Sequence, residues 1–596
     1  MSTTTQEQFR EGPSTSRARW LFRNPVAESF AASFPEHSAV MLQLLQARGL
    51  EKQTQIDEFL QPDYGSDVHD PFLFRDMHKA VDRIIDGVKK NERIVVYGDY
   101  DADGVCGASV LWSTLHALGA NPGVYLPDRQ SEGYGLNEKA LESLHSQGYT
   151  LVITVDCGVT SVGEVKKANE LGIDVIITDH HSEPPELPAA FAILNPKLAE
   201  ETYPFRELAG TAVGFKLAHA LLLKSEYGKS FNREPLVQGW EKWLLDLVAI
   251  ATVADMMPML GENRTLTMYG LKVLQKTRRL GLRSLFSVMH NDLAKADTET
   301  IGFMIAPRLN AAGRLDHANT AFRLLVTEDA AEAFALADDL ERTNTARQAE
   351  TERIVDAAIE QIGSEPEQPI VGAYHPDWQV GVLGLAAGRL VHRYGRPAIV
   401  MAKVRGLVTG SGRSIPALNL MEALDPLRPN FEKFGGHPQA CGFTLKANYT
   451  PEEFVIDFAA RAGELLKGRE LAPELLIDAE LVLHDVNWDL LEQIEQLAPF
   501  GQNARRPIFA VRNVQVVEAR QVGKKNQHLS LTIRSAQGTE HRSIGFTWGE
   551  EHSKLPVGKN IDLAFELSAD EWNGERRLQL KILDIHYSDE TDNTSI

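Results

Sequence analysis

Three carboxylates stand at alternate positions in one short stretch of the chain. Asp99, Asp101 and Asp103 follow the apolar run 94–96, which is short enough to be a buried strand. In extended backbone, side chains two residues apart lie on the same face, so we expect the three carboxylates to converge. Like charges held this close repel each other, and a divalent cation relieves the repulsion. The spacing indicates a metal site, although a solvated acidic turn can have the same composition.

Two further apolar runs end in residues that can bind a metal. They are Leu151–Val155, followed by Asp156, and Asp174–Thr178, followed by Asp179, His180 and His181. Because ligands of open parallel sheets bind beyond the carboxyl ends of the strands, these side chains are predicted to meet at one edge. A fourth candidate, Asp255, closes the apolar segment 244–254, and the Pro258 that follows is typical of a helix end.

Composition describes a globular chain of several domains. With 596 residues, of which 43% are hydrophobic and 24% charged, the chain has room for roughly three or four domains. No apolar run approaches the ~20 residues of a membrane span, and the first ~25 residues lack the apolar core of a signal peptide. Three widely spaced cysteines favour a reducing compartment over a disulfide framework. We therefore expect a cytoplasmic protein with no membrane partner.

The net charge of −21 argues against a generally basic coat for nucleic acid. Residues 371–450 differ from the rest, because they contain nine Lys or Arg and only four Asp or Glu. A basic region within an acidic protein can still line a path for DNA. Part of the remaining acidity is accounted for by the carboxylates of the metal site.

Four motifs carry a resemblance to a known family. They are GDYDADG at 98–104, DCG at 156–158, TDHH at 178–181 and VADMMP at 253–258. Their order and spacing resemble the DHH phosphoesterases and, within that superfamily, the RecJ family of single-strand-specific DNA exonucleases. The resemblance runs from about Phe59 into the C-terminal region.

The alternation of strands and helices over 92–325 predicts an α/β domain with a doubly wound parallel sheet. The resemblance implies a second α/β lobe of the DHHA1 type and a C-terminal OB-fold β-barrel. The domains expected are a disordered tail at 1–25, N-terminal helices with the DHH domain at 26–326, a connecting helix at 327–365, the DHHA1 domain at 366–468, the OB-fold at 469–587 and an acidic tail at 588–596. Within the barrel, Phe546 or Trp548 and the lysines of 523–526 are candidates for contact with DNA, although the two aromatic side chains could equally belong to the barrel core.

The resemblance also implies roles for the motif residues. The ligands of two Mn²⁺ or Mg²⁺ ions would be Asp101, Asp103, Asp156, His180 and Asp255, with Asp156 between the two ions. Asp99 would bind a metal or support a ligand, and His181 would contact the phosphate or transfer a proton. Adjacent residues of an extended chain point opposite ways, so we expect His180 and His181 to differ in role.

Six residues outside these motifs are expected to bind substrate. Arg129 alone would suggest a surface salt bridge, but its Pro-x-Arg segment resembles a phosphate-binding segment of the family. Arg314 ends a small-residue segment that also resembles the family, and an arginine there can bind phosphate with two N–H groups. The other four lie in Gly-rich stretches that resemble the DHHA1 module and are expected to be loops: Ser411, Arg413, Gly436 and His437. Gln379 stands where the family commonly has His, so no role is assigned to that position.

The resemblance implies a 5′→3′ exonuclease for single-stranded DNA that acts in repair and recombination. One alternative is a DHH phosphodiesterase of short oligoribonucleotides or cyclic dinucleotides, which leaves the barrel unexplained. In the pyrophosphatase-like form of the site a His stands four residues before the Asp101 equivalent, where this chain has Tyr97. The other alternative is a non-catalytic scaffold, but such proteins lose motif carboxylates that this chain keeps. A helicase and a single-strand-binding protein are possible partners, and a monomer is favoured.

Overall fold

The apolar runs of the first half of the chain pair into one parallel sheet. Its five strands, in spatial order, are Gly123–Tyr125, Arg93–Gly98, Tyr149–Val155, Asp174–Thr178 and Ala192–Leu194. All neighbouring pairs are parallel, and the second strand in the chain lies outside the first, which is the order of a doubly wound sheet. The predicted α/β fold is confirmed for this domain.

The computed structural model describes residues 18–587 apart from 130, 232–233, 365, 470–472 and 573–574. The predicted acidic tail at 588–596, and the predicted disordered tail up to residue 17, lie outside the described residues. Two units can be distinguished. The first unit comprises Asp57–Gln348 and Pro499–Ala504, and the second comprises Met1–Ile56, Ala349–Ala498 and Arg505–Ile596.

Helices cover both faces of the parallel sheet. Val95 and Val152 pack with the helices Glu138–Ser146 and Val162–Glu170 on one face. On the other face, Val155 is so close to Gly107 and Gly214 that β-carbons there would lie 2.4 and 3.2 Å from its side chain. The main helices of this unit are Met77–Lys89, Ala102–Ala117, Glu138–Ser146, Val162–Glu170, Gly210–Lys224, Leu245–Ala254, Gly261–Leu274, Leu280–Val288, Ala306–Leu315 and Asn319–Val326.

One long helix, Ala330–Ile362, occupies most of the region predicted to connect the two lobes. It has 33 residues and no internal Gly or Pro, which agrees with the Ala- and Glu-rich sequence. Its first residues belong to the first unit and its last residues to the second. No helix among the described residues is both long enough and apolar enough to cross a bilayer.

The second unit contains a mixed sheet and a barrel. The sheet has the spatial order Phe431–His437, Ala440–Leu445, Leu407–Arg413, Ala398–Val404 and Val371–Tyr374, with the helices Leu383–Tyr394 and Pro451–Leu466 beside it. The barrel closes because its first strand pairs with both its second and its fourth. Its strands are Ile508–Val522, His528–Arg534, Glu540–Gly545, Asn560–Trp572 and Glu575–Tyr587. The predicted OB-type barrel is confirmed.

The N-terminal region differs from the prediction. Arg19–Phe22, assigned from composition to a disordered tail, forms a strand parallel to Glu474–Ile477. Trp20 is buried, and its indole N–H donates to Asp584 at 2.8 Å. Residues 26–56 were expected to group with the parallel sheet, whereas they belong to the second unit through contacts such as Gln43 Nε2 to the Asp478 carbonyl at 2.8 Å.

Candidate metal centre

The first two proposed ligands lie where a strand gives way to a helix. Asp101 is the N-cap of the helix Ala102–Ala117, and its side chain accepts from the N–H groups of Asp103 and Gly104 at 2.9 and 3.1 Å. Asp103 lies in the first turn. The carboxylates therefore converge through a helix start and not through continuous extended backbone, as the spacing alone suggested. A β-carbon at Gly104 would lie 2.5 Å from the Asp99 backbone, so only glycine fits.

A second helix holds the Asp103 carboxylate in position. The N–H groups of Gly210 and Thr211, at the start of the helix Gly210–Lys224, donate to its two oxygens at 2.8 and 2.7 Å. Burial, together with the charges of Asp255 and Asp101, raises the pKa of Asp103 to about 7. Ionising all the carboxylates of the site at once is therefore unfavourable unless a cation is bound.

Asp156 follows the strand Tyr149–Val155 in a left-handed backbone conformation, with φ of 62°. This conformation is uncommon for residues other than glycine, and aspartate tolerates it better than most. Burial and the charges of Asp103 and Asp101 raise the pKa of Asp156 well above its ordinary value. Gly210 packs directly on Asp156, because a β-carbon there would lie 2.6 Å from the Asp156 Cβ.

His180 faces three of the carboxylates. Its Nε2 lies 3.1 Å from Asp156, 3.6 Å from Asp255 and 3.8 Å from Asp103. Burial lowers the pKa of His180 to about 4, so the ring is neutral at physiological pH and able to bind a metal. Asp255 reaches this position from the C-cap of the helix Leu245–Ala254, as the sequence predicted.

His181 makes different contacts. Its Nδ1 lies 2.7 Å from Asp179, and the Tyr134 hydroxyl lies 3.1 Å from the same nitrogen and donates to the Asp156 carbonyl at 3.0 Å. Burial would lower the pKa of His181, but the hydrogen bond to Asp179 raises it. The two histidine rings nevertheless lie only 4.7 Å apart, so they do not point in opposite directions as an extended chain suggested.

Three overlapping groups of side chains could hold metal ions. In each group one ligand atom per residue lies within 4.8 Å of the others: Asp156, His180 and His181; Asp103, His180 and Asp255; Asp99, Asp101 and Asp156. Two buried atoms here, Asp99 Oδ1 and His180 Nδ1, have no hydrogen-bond partner among the described residues. Carboxylate oxygens with imidazole nitrogens suit Mn²⁺ or Mg²⁺. The donor set and the crowded, buried carboxylates therefore fit divalent cations.

The two predicted phosphate-binding arginines of the first unit lie near this cluster. The Arg129 guanidinium is 5.0 Å from the centre of the Tyr100 ring. Burial and the Asp99 charge raise the pKa of Tyr100, and the charges of Arg129 and Arg314 oppose the rise. Gly313 lets Arg314 approach, since a β-carbon there would lie 2.4 Å from the Tyr100 carbonyl. Arg308 instead pairs with Glu341 and donates to the Met304 carbonyl.

The remaining predicted contacts lie in the second unit and are not loops. Ser411 and Arg413 belong to the strand Leu407–Arg413, and Gly436 and His437 to the edge strand Phe431–His437. Arg413 donates to Ser411 Oγ at 3.1 Å and to the Gly412 carbonyl at 2.8 Å. A β-carbon at Gly384 would lie 2.7 Å from the Arg413 guanidinium. These glycines serve close packing and strand pairing, which a Gly-rich pattern does not distinguish from a turn.

Three residues with roles at the site were not assigned from the sequence. Asp179 is fully buried and accepts from the N–H groups of Val159, His180 and His181 as well as from the His181 ring. Its position directly before two histidines could have indicated that it supports a histidine ring. Tyr134 lies 47 residues before His181 in the chain, so their contact is tertiary and leaves no local pattern. Nothing in the local sequence indicates that Gly210 packs on Asp156.

In the barrel, the two aromatic candidates separate. Phe546 is 43% exposed and lies edge-on to His528 with ring centres 5.4 Å apart. Trp548 is 7% exposed and belongs to the core, so of the two roles left open for it, core residue and DNA contact, the structure agrees with the first. The adjacent turn carries the exposed Lys524 and Lys525.

Comparison with known proteins covers all three regions. Domain profiles match for the DHH family, N-terminal domain, over 93–252, the DHHA1 domain over 367–468 and the RecJ OB domain over 477–584. The single-stranded-DNA-specific exonuclease RecJ of Bacillus subtilis (strain 168) is 38% identical over 586 residues, 96% of this chain and 71% of the relative.

Two solved structures are similar to this chain over 96% of its length. RecJ of Thermus thermophilus in complex with Mn²⁺ has a TM-score of 0.79 and 27% identity, with 96% of this chain and 80% of that chain covered. The same protein in complex with Mg²⁺ has a TM-score of 0.74 and 25% identity, with 96% and 78% covered.

Proposed function

The chain belongs to the RecJ family, and we propose that it is a single-stranded-DNA-specific exonuclease that hydrolyses phosphodiester bonds from the 5′ end and releases 5′-mononucleotides. The observation that carries this proposal is the cluster of carboxylates and imidazoles at the carboxyl edge of the parallel sheet. A phosphodiester requires an in-line nucleophile and stabilisation of the leaving oxygen. The family and the donor set together support this chemistry.

Two Mn²⁺ or Mg²⁺ ions are the proposed cofactors. Their ligands would be Asp101, Asp103, Asp156, His180 and Asp255, with Asp99 as a further ligand or support. Asp156 is the proposed shared ligand. Asp156 and His180 each belong to two of the three groups, but only the Asp156 carboxylate has two oxygens with which to bind two ions. When bound, such ions activate water and stabilise charge on the phosphate.

The protein's own groups would orient the substrate and move protons. The His181 Nδ1–H donated to Asp179 at 2.7 Å keeps the ring in one orientation, with Nε2 available to a phosphate oxygen or a proton. Arg129 and Arg314 are proposed to hold phosphates. In the second unit, Ser411, Arg413, Gly436 and His437 would contact the strand, and the OB barrel would hold DNA at a distance from the cut.

The two alternatives are less well supported. An enzyme for short oligoribonucleotides or cyclic dinucleotides has no need of the RecJ-type OB domain matched over 477–584. A non-catalytic scaffold has no need of a complete ligand set. We also propose that the chain works in the cytoplasm, as a monomer that meets a helicase and a single-strand-binding protein. Size-exclusion chromatography with light scattering would test the monomer.

End-labelled substrates test the function directly. Purified protein with Mn²⁺ should degrade single-stranded DNA and leave blunt duplex intact. A 5′ label should appear at once as a mononucleotide, whereas a 3′ label should pass through a ladder of shortening products. Addition of a chelator should stop both reactions. Preference for a dinucleotide over long DNA would favour the first alternative, and strand binding without cleavage in Mn²⁺ or Mg²⁺ would favour the second.

A further inference from the structure

A cavity of about 820 Å³ lies in the first unit, apart from the metal centre. Trp112 and His116, near the C-terminal end of the helix Ala102–Ala117, line it, whereas Asp103 lies at the other end of that helix. The helix rises roughly 14 Å between Asp103 and Trp112. The cavity volume is within the range of small-molecule sites. This is therefore a separate candidate binding site.

Three tryptophans contribute to the walls of the cavity. Trp112, Trp240 and Trp243 all line it and all are partly exposed. Trp112 stacks on His116 with ring centres 4.8 Å apart and nearly parallel planes. In the part of the chain that the structure describes, neither Trp240 nor Trp243 contacts another aromatic ring. One face of Trp243 lies under the Arg278 guanidinium. The exposed part of the two indoles is available to a planar ligand, and aromatic surface of this kind favours ring stacking.

One cation at the cavity is not engaged by a carboxylate. The Arg278 guanidinium lies 3.8 Å from the centre of the Trp243 ring, is exposed, and forms no salt bridge with any described residue. Arg279, by contrast, pairs with Asp246 at 3.3 Å and donates to the Leu325 carbonyl at 2.9 Å. Asp246 also accepts from Thr277 Oγ1 at 2.8 Å. Arg278 thus offers its N–H groups to an anion beside aromatic surface.

The carboxylates that line the cavity do not prevent an anion from binding at Arg278. Asp246 is 1% exposed and its charge is already matched by Arg279, which leaves the exposed Glu328 as the other lining carboxylate. A ligand that fits would combine a planar ring with a negative charge. We propose that the cavity binds a nucleotide, with its base against Trp240 and Trp243 and its phosphate at Arg278. This inference does not depend on the proposed nuclease activity.

Isothermal titration of the full chain with dAMP tests the site in the presence of a chelator, so that the metal centre is not loaded. We expect one dAMP per chain. Deoxyadenosine and inorganic phosphate, which each lack half of the ligand, should bind at least tenfold more weakly. Trp243→Ala should weaken dAMP binding roughly tenfold or more, as removal of a stacking platform does. Arg278→Ala, an exposed position that does not threaten folding, should have a similar effect.

Two variants serve as controls. Arg93→Ala removes another arginine that lies over an aromatic ring, 4.7 Å from the centre of Tyr149 and outside the cavity, and should keep the wild-type affinity. Asp156→Asn should also keep it, which separates the cavity from the metal centre. Stronger binding of a six-residue oligodeoxyadenylate than of dAMP, lost in Arg278→Ala, would support the site and assign its ligand to a DNA strand.

Three results would overturn the inference: no measurable binding of dAMP or oligodeoxyadenylate, binding that Trp243→Ala and Arg278→Ala both leave unchanged, or binding of an acidic aromatic peptide in place of the nucleotide. The last result would assign the cavity to a protein partner. Because every measurement is made with the metal chelated, a chain without nuclease activity would still give a clear answer.

Discussion

Asp156 is the carboxylate on which the proposed two-metal site depends most. We expect Asp156→Asn to lower kcat on single-stranded DNA by at least ~10²-fold, because a shared ligand loses its charge. Asparagine keeps the left-handed backbone at φ 62° accessible and removes one of the repelling charges. The free energy of unfolding in chelator should therefore be unchanged or higher. Single-turnover cleavage and thermal melts measure the two effects, and normal turnover would contradict the assignment.

The raised pKa of Asp103 makes the effect of metal binding on protein stability depend on pH. Its pKa is about 7 in the metal-free fold, against an ordinary value of 3.8. Between those pH values the folded chain holds a proton that the unfolded chain has released, so this group's contribution to stability falls as the pH rises. A metal needs the ionised carboxylate. The rise in Tm caused by Mn²⁺ should thus be larger at pH 8 than at pH 6.

Melts with Mn²⁺ and with chelator at both pH values measure that difference. As a control, Asp103→Asn should make the stability of the metal-free protein less dependent on pH. An equal Mn²⁺ shift at pH 6 and pH 8 would contradict a raised pKa at the site.

Asp179 is expected to act through His181. Asp179→Asn removes the charge that orients the ring, and loss of such a supporting partner typically costs about 10–100-fold in activity or metal affinity. The effect should appear in kcat, since His181 would act on the phosphate, and should shift the acid limb of the pH profile. In a double-mutant cycle with His181→Ala the two losses should not add. Additive losses would mean that Asp179 supports the site by another route.

At the scale of residues, the sequence predicted which acidic and histidine side chains come together better than it predicted their geometry. Strands that end in Asp or His at one sheet edge are a property of the chain order, so Asp156 and His180 could be predicted. The N-cap role of Asp101 depends on where a helix begins, and the contact between Asp103 and Gly210 depends on a helix more than 100 residues away. Such contacts leave no local pattern, and for this reason extended backbone was the wrong basis for the convergence.

The helix Gly210–Lys224 is the element that positions Asp103 and Asp156. We expect Gly210→Ala to lower activity and Mn²⁺ affinity together, because its β-carbon would lie 2.6 Å from the Cβ of Asp156. Alanine is the better helix former by about 1 kcal/mol, so intrinsic propensity predicts the opposite sign. Gly163→Ala, within the helix Val162–Glu170 and with open space around its β-carbon, is the matched control and should be neutral or stabilising. Wild-type Mn²⁺ affinity in Gly210→Ala would show that the helix can shift enough to accommodate the added methyl group.

At the scale of elements, periodicity predicted the long and apolar segments. The parallel strands and the helices Ala102–Ala117 and Ala330–Ile362 agree with their patterns. The glycine-rich segments Leu407–Arg413 and Phe431–His437 did not follow their predicted loop conformation. They are strands, in which Gly410, Gly412 and Gly436 face close neighbours such as Phe443. Glycine marks both turns and close packing, and only tertiary structure tells the two apart.

At the scale of the whole molecule, chain order does not follow the units. The strand Arg19–Phe22 pairs with Glu474–Ile477, and Pro499–Ala504 belongs to the first unit, where Met259 N–H donates to the Gln502 carbonyl at 2.8 Å. Domain boundaries predicted along the sequence assume contiguous segments. They therefore miss both the pairing of the N-terminal strand with residues 474–477 and the placement of residues 499–504 in the first unit. A truncation near residue 470 would consequently remove parts of two units, and the role of the barrel must be tested on its surface.

Variants of the barrel surface can distinguish a nuclease that acts on long DNA from one that acts on short substrates. Phe546 is 43% exposed beside the turn that carries Lys524 and Lys525. If this surface holds the strand away from the cut, replacing all three residues by alanine should lower kcat/KM on a ~30-mer by roughly tenfold or more, which corresponds to one stacked base. The salt dependence of binding should flatten by about two phosphate contacts. If the barrel surface binds only the part of the strand beyond the metal centre, a ~3-mer bound there gains nothing from it, and its kcat/KM should be unchanged.

Val557→Ala is the control for this experiment, since it removes another exposed apolar side chain of the barrel region, 71% exposed, without charge or aromatic surface. It should leave both substrates unaffected. Equal losses on the ~3-mer and the ~30-mer in the triple variant, with an unchanged Tm, would mean that this surface does not hold DNA. A lowered Tm with equal losses would instead mean that these residues stabilise the barrel. Only a loss confined to the long substrate, with a flatter salt dependence, fits a barrel that holds the strand while the metal centre cuts it.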